Sequence, residues 1–323
     1  MLRSAFCIAS LALPLLCSAA KPAAPTLPVA EVHDLAHAFV AFWDRAQMLP
    51  IAQRVGLFKK EIVPLFPAFY GIARYGGERT QAQQDERIRR AIETFPQIRS
   101  EYLRKADQFR LELPRHTASF RARFPDYRPT SPIYFLHSLG EMDAGPRDLD
   151  GHNALIFGID NMVRDHGSGK ENAFFHHELF HIFHQPSISA CSGEAVWTKL
   201  WTEGLATYVS HVMNPAATEQ ELLLDAPAGM AARTRAMLKP ALVQLEPMLG
   251  SSDEADDIAL FRMAGNDPSG LPKRRGYYLG YLVAQQAAKQ HPLQELAKLD
   301  CNAARIVVYS AVQQLTSDAA KMP

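Results

Sequence analysis

The stretch Phe174-Phe175-His176-His177-Glu178-Leu179-Phe180-His181-Ile182-Phe183-His184 decides how this chain is read, because it contains H-E-x-x-H at His177, Glu178 and His181. The spacing demands a helix: only there do residues four apart stack on one face and aim two imidazoles at one point, with Glu178 beside them. Local signals are expected to supply that helix. Ser168 and Glu171 match a capping box, and Pro186 should stop the helix after Gln185. Phe175, Leu179, Ile182 and Phe183 fall on the opposite side, so the packing face is expected there, away from the two histidines.

A catalytic zinc site takes three protein ligands and leaves a further position for water, so a third ligand is needed. The candidates are His184, Glu194, Glu203 and His211. His184 shares the helical face, but seven residues beyond His177 it lies about 10 Å along the axis, too far to share a metal held between His177 and His181. It and His176 are therefore expected beside the site or on the surface. Glu203 is the better candidate. It sits in Trp197-Thr198-Lys199-Leu200-Trp201-Thr202-Glu203-Gly204-Leu205-Ala206-Thr207-Tyr208, a helix whose stripe of Trp197, Trp201, Leu205, Tyr208 and Val212 faces away from it. Ala206, Thr207 and Ser210 are small enough to let this helix approach the motif helix closely. From composition alone, Glu203 reads equally well as a solvated surface glutamate.

H-E-x-x-H followed about twenty residues later by a helical W-x-E-G-L-A-T-Y resembles the gluzincin class of zinc metallopeptidases. Their third ligand is the glutamate of that second helix, and Glu203-Gly204-Leu205-Ala206-Thr207-Tyr208 is particularly similar to the matching segment of the M1 aminopeptidases. The resemblance spans roughly residues 131 to 290 and is closer to the compact predicted zinc-dependent peptidases of bacterial envelopes. No G-A-M-E-N motif is present, so aminopeptidase specificity does not carry over. The resemblance implies one Zn²⁺ held by His177, His181 and Glu203, with Glu178 as general base, acting on a peptide or protein substrate. It also implies that Asn153 to Asp160 is an edge strand pairing with extended substrate; a small core hairpin is the alternative.

Arg274-Arg275-Gly276-Tyr277-Tyr278-Leu279-Gly280-Tyr281 clusters phenols at a predicted helix start. Tyr277 and Tyr281, four apart, share a face, and the G-Y-x-x-G-Y pattern is similar to one late in such peptidases. It implies that one of the two donates to a developing oxyanion, with a nearby arginine assisting. Ordinary aromatic packing is the competing reading.

Around these motifs the sequence reads as α+β and predominantly helical: a zincin-like catalytic domain with a small sheet before the motif helix. Residues 31 to 124 carry helical spacing, as at Leu35, Phe39, Phe42, Trp43 and Ala46, then at Ile88, Ile92, Phe95 and Ile98, with Pro64 and Pro67 splitting one helix. The catalytic domain is expected over 125 to 323. Within it Ile133-Tyr134-Phe135-Leu136 and Ala154-Leu155-Ile156-Phe157 read as two strands, separated by a Gly/Asp/Pro loop.

Composition bounds the rest. In 323 residues, 47% hydrophobic and 21% charged, the 34 basic and 34 acidic side chains cancel. No basic surplus exists to neutralise phosphates, so nucleic-acid binding is not expected. Arg3, the apolar run Ala5 to Leu16 and the small residues Ser18, Ala19 and Ala20 read as a signal peptide over 1 to 20, followed by a Pro-rich linker over 21 to 30. The protein is thus expected to be periplasmic or secreted, with no transmembrane segment in the mature chain. Cys191 and Cys301 would be its remaining cysteines and could form one bridge in an oxidising compartment. Rivals to a peptidase are a non-catalytic metal-binding envelope protein, an accidental motif, and a zinc hydrolase of a non-peptide amide. The oligomeric state is left open.

Overall fold

The computed structural model describes residues 30–128, 131–166, 169–191, 195–265 and 267–321. The expected signal peptide, the linker up to residue 29, Ser168 and Glu194 lie outside them. The described chain is predominantly helical with one four-stranded sheet. It opens with β1 (Val32–Asp34), α1 (Ala36–Ala46), α2 (Ile51–Glu61), a short α3 (Pro67–Tyr70) and the long α4 (Gln81–Arg123). Then come β2 (Ile133–Leu136), β3 (Ala144–Leu149), β4 (His152–Gly158), α5 (Ile159–His166), α6 (Asn172–Ile188) and α7 (Val196–Met213). The remainder is helical: α8 (Met230–Ala236), α9 (Leu238–Met248), α10 (Glu254–Phe261), α11 (Arg275–Ala287), α12 (Leu293–Leu296) and α13 (Cys301–Ala320). Among the described residues no helix is long and apolar enough to cross a membrane.

The sheet runs β1-β2-β4-β3, parallel between the first three strands and antiparallel between β4 and β3. Both expected strands are present, but the Gly/Asp/Pro segment between them is itself a strand. β3 folds back on β4 through Asp150-Gly151, both with positive φ, between the paired Leu149 and His152. This two-residue Asp-Gly turn matches the twist of a hairpin. It corrects the edge assignment: Asn153 to Asp160 cannot be the edge, because β4 is paired on both sides, and β3 takes that place. The other end is β1, which lies inside a region whose spacing reads as helix throughout.

The motif helix differs in two respects from expectation. Glu171 is its N-cap residue but makes no capping bond, since its carboxylate is engaged by Lys105 and His166. Pro186 does not end it. The helix runs on to Ile188, with the proline in the last turn, where a missing N–H costs a single ladder bond. Nor is one face left free: Ala173 to Phe180 are all buried, because α6 lies between α4 on one flank and α7 on the other. The main hydrophobic core among the described residues reaches from Leu35 to Ala319 and passes through both sides of this helix.

α7 is set against α11 by a glycine-on-glycine crossing. A Cβ on Gly204 would meet the Gly280 backbone carbon at 2.2 Å, and one on Gly280 would meet the Leu200 carbonyl oxygen at 2.4 Å. Neither neighbour is a flexible side chain, so the helices would have to separate. Gly204→Ala is therefore expected to cost at least about 3 kcal/mol in urea denaturation, the upper end of overpacking. An unchanged midpoint would show that the contact is not tight. Cys191, just after α6, and Cys301, at the start of α13, form a disulfide with Cα atoms 5.3 Å apart.

Candidate metal centre

His177, Glu178 and His181 come from the middle of α6, and Glu203 comes from the second turn of α7. Ala206, Thr207 and Ser210 on α7 are buried, and their small side chains allow the two helices to lie close. The result brings three ligand-type atoms within 4.8 Å of one another. His177 Nε2 and His181 Nε2 are 2.9 Å apart, and Glu203 Oε2 lies 3.5 Å from the first and 3.7 Å from the second. These residues could hold a metal ion. Thr207 helps to orient the ring behind them: its hydroxyl donates to the Glu203 carbonyl and lies 3.5 Å from His177 Nδ1.

The electrostatics follow from burial and mutual charge. Burial pushes the Glu203 carboxyl up, but His181 and His177 together outweigh it and pull the group down to about 2. Burial lowers His181 to about 4, whereas at His177 the surrounding Glu203 and Glu178 carboxylates reverse the burial effect and raise it. Glu178 has no cation in bonding contact; burial pushes it up to about 8, and its Oε2 is buried without a hydrogen-bond partner. A carboxylate in that condition is a strong base.

All four residues line a cavity of about 410 Å³, with the first half of β3 and the segment before it, Asp143 to Arg147, forming one wall. Tyr277 and Arg274 line it as well. Burial and then the Glu203 charge raise the Tyr277 phenol well above its ordinary value, so it is a neutral donor at physiological pH. Arg274 lies over the Tyr277 ring at 4.5 Å and is held in a left-handed backbone conformation with φ of 60°. Tyr281 does not line this cavity. Its hydroxyl is 2.7 Å from His211 Nδ1 and its ring packs with Tyr278, in a small separate cluster with Leu222, Met230 and Ala231. The shared face of the two tyrosines is thus split, one to the cavity and one to the side.

His176 and His184 are buried, so of the two expected placements, beside the site or on the surface, the surface one does not hold. His176 is bonded on both ring nitrogens, to Ser119 Oγ at 2.7 Å and Asn214 Nδ2 at 2.8 Å, and burial lowers it to about 4. His184 Nδ1 donates to the Ala297 carbonyl at 2.9 Å, and its ring borders the cavity. His211, the remaining candidate ligand, is occupied by Tyr281.

Sequence reasoning missed a buried ionic chain behind the wall of the cavity. Lys105 on α4 pairs with Glu171; Glu171 Oε2 lies 2.9 Å from His166 Nδ1, and His166 Nε2 lies 3.2 Å from Asp143 Oδ2. Burial alone would lower His166, but the flanking Asp143 and Glu171 carboxylates raise it to about 9. The same pairings hold both acids below their ordinary values against burial. A raised histidine contributes stability that is complete below its unfolded value near 6.5 and is lost as pH rises through 9. The depressed acids contribute above the ordinary carboxylate range and lose that contribution in acid. Tm is therefore expected to fall between pH 7 and 9, and His166→Gln should flatten that fall; an equal slope in both proteins would remove His166 as its source.

No protein-family model, curated protein or solved structure matches this chain. The geometry of the centre itself carries the functional argument.

Proposed function

We propose that this protein is an exported zinc peptidase of the gluzincin type with a zincin-like catalytic domain. The observation that carries this reading is the convergence of His177 Nε2, His181 Nε2 and Glu203 Oε2, with Glu178, its Oε2 buried and unpartnered, beside them in one cavity. The donor set suits Zn²⁺. Tetrahedral ligands at about 2.0–2.1 Å from zinc sit about 3.3 Å apart, and the three separations of 2.9, 3.5 and 3.7 Å bracket that value. When bound, Zn²⁺ would polarise the scissile carbonyl and bring the pKa of water toward neutrality.

The chain's own groups would do the rest. Glu178 takes the proton from the water attacking the carbonyl and passes it to the leaving amine. Tyr277, a neutral phenol backed by Arg274, donates to the oxygen on which negative charge develops. β3, the end strand forming the cavity wall, offers unpaired backbone groups to an extended peptide. Peptide backbone, in preference to a small non-peptide amide, is favoured by that strand.

Metal analysis of the purified protein, followed by a peptide-library cleavage assay, tests the reading. Bound zinc with cleavage supports it; zinc without cleavage of any peptide leaves a metal-binding protein; no zinc retained after its addition ends it. The tyrosine assignment has its own check. Tyr277→Phe is expected to lower kcat by about 10²-fold with zinc still bound, the worth of one oxyanion donor. Tyr281→Phe, which removes only the bond to His211, should leave kcat within a few-fold of wild type. The reverse pattern would transfer the role to Tyr281.

A further inference from the structure

A second cavity of about 450 Å³ shares no lining residue with the first and lies against α4, α5 and the turn after β2. Its charged walls are Arg87 and Arg90 of α4, Arg164 of α5 and a single acid, Asp160. That acid is already committed. Asp160 Oδ1 accepts from the Ser138 amide at 2.6 Å, and Oδ2 accepts from the Gly140 amide at 2.8 Å and from Ser138 Oγ at 3.1 Å. These bonds hold Leu139 and Gly140 in consecutive left-handed conformations, φ of 57° and 76°. For Leu139 that backbone is unfavourable, and such strain persists only where the surroundings enforce it.

Polar donors border this cavity as well. Asn161 is 4% exposed and lines the cavity with a side-chain amide that can donate. His137, 3% exposed, receives the Leu139 amide on Nδ1, which places its own proton on Nε2, and that atom has no partner. Arg87 Nε is likewise buried without one.

Arg87 and Arg90 share their nearest carboxylates with other arginines. Glu141, 3.7 Å from Arg87, already binds Arg74 and stands 3.9 Å from Arg79; Glu86, 3.8 Å from Arg90, is bound by Arg89. Arg164, by contrast, already forks onto the exposed Asp165 at 2.7 and 2.8 Å, a solvent-side partner with which an incoming oxyanion must compete. Burial, and then repulsion from Arg79, make Arg87 a costlier cation than usual.

We propose that this cavity binds a small molecule through an oxyanion, phosphate or carboxylate, gripped by Arg87, Arg90 and Arg164 with the Asn161 amide as a neutral donor. Forked guanidinium donors suit both kinds of oxyanion, and three of them favour a multiply charged one. The site is independent of the peptidase reading and of any metal.

The test is calorimetric titration of the purified protein with inorganic phosphate and, separately, with citrate, each against sodium chloride at matched ionic strength. Saturable binding of either is expected, with a matching rise in Tm. Phosphate alone would assign a phosphate-bearing ligand and citrate alone a carboxylate one. The double variant Arg90→Gln/Arg164→Gln changes two exposed side chains and should fold normally while weakening binding at least about tenfold, from the lost charge-assisted bonds. Arg110→Gln, an exposed change elsewhere on α4, should leave binding unchanged. Absence of saturable binding of both anions in wild type, or equal weakening in Arg110→Gln, would overturn the proposal.

Discussion

Glu178→Gln is expected to retain zinc and to lose peptide hydrolysis by roughly 10²- to 10⁴-fold, the usual worth of general acid–base catalysis. The substitution preserves shape and hydrogen-bonding reach, and Glu178 is not one of the three converging ligand atoms, so the metal should stay. What is lost is the proton acceptor. In wild type that carboxylate is buried, pushed up to about 8 and unpartnered at Oε2, which makes it a base near its working pH. A neutral amide cannot take a proton from water or return it to an amine. Replacing a buried ionisable carboxyl by a neutral amide should not cost stability, so Tm is expected to hold or rise. Metal analysis, thermal unfolding and steady-state cleavage on the same preparation separate these effects. A zinc-replete, fully active Glu178→Gln would defeat the proposed mechanism.

The parts legible in the sequence were those fixed by local geometry. His177 and His181 meet because residues four apart always share a helical face, and α6 forms as that spacing requires. Glu203 was legible from the small residues around it and from the resemblance of its segment; its reach across to α6 then depends on helices packing at Gly204 and Gly280, which no local pattern states. Strand order was hidden for the same reason. β3 carries Gly145 and Pro146, poor strand residues tolerated at an unpaired edge, and its one clear signal was the Asp150-Gly151 turn. The two tyrosines could not be separated without knowing how α11 is rotated against its neighbours. Least legible was the chain Lys105, Glu171, His166 and Asp143, since buried ion pairs join residues far apart in sequence whose types alone predict exposure.

Loss of the ligands should act before chemistry. His177→Ala is expected to abolish both zinc retention and hydrolysis, and Glu203→Ala to weaken zinc retention strongly, because two remaining ligands rarely hold a catalytic metal. The two variants differ in what they leave behind. Removing Glu203 takes away the carboxylate that lies 3.5 Å and 3.7 Å from the two imidazoles, so two buried histidines 2.9 Å apart face each other with no negative charge between their helices. Removing His177 leaves Glu203 with His181 alone, and a carboxyl held at about 2 by both rings should move upward as one is deleted. Both metal-free proteins should retain the fold, whose core and glycine crossing do not pass through the ligands, as far-UV circular dichroism would show. Equal zinc content in Glu203→Ala and wild type would remove Glu203 from the centre. The same equality in His177→Ala would remove the centre altogether, since no other arrangement of described residues places three ligand atoms so close.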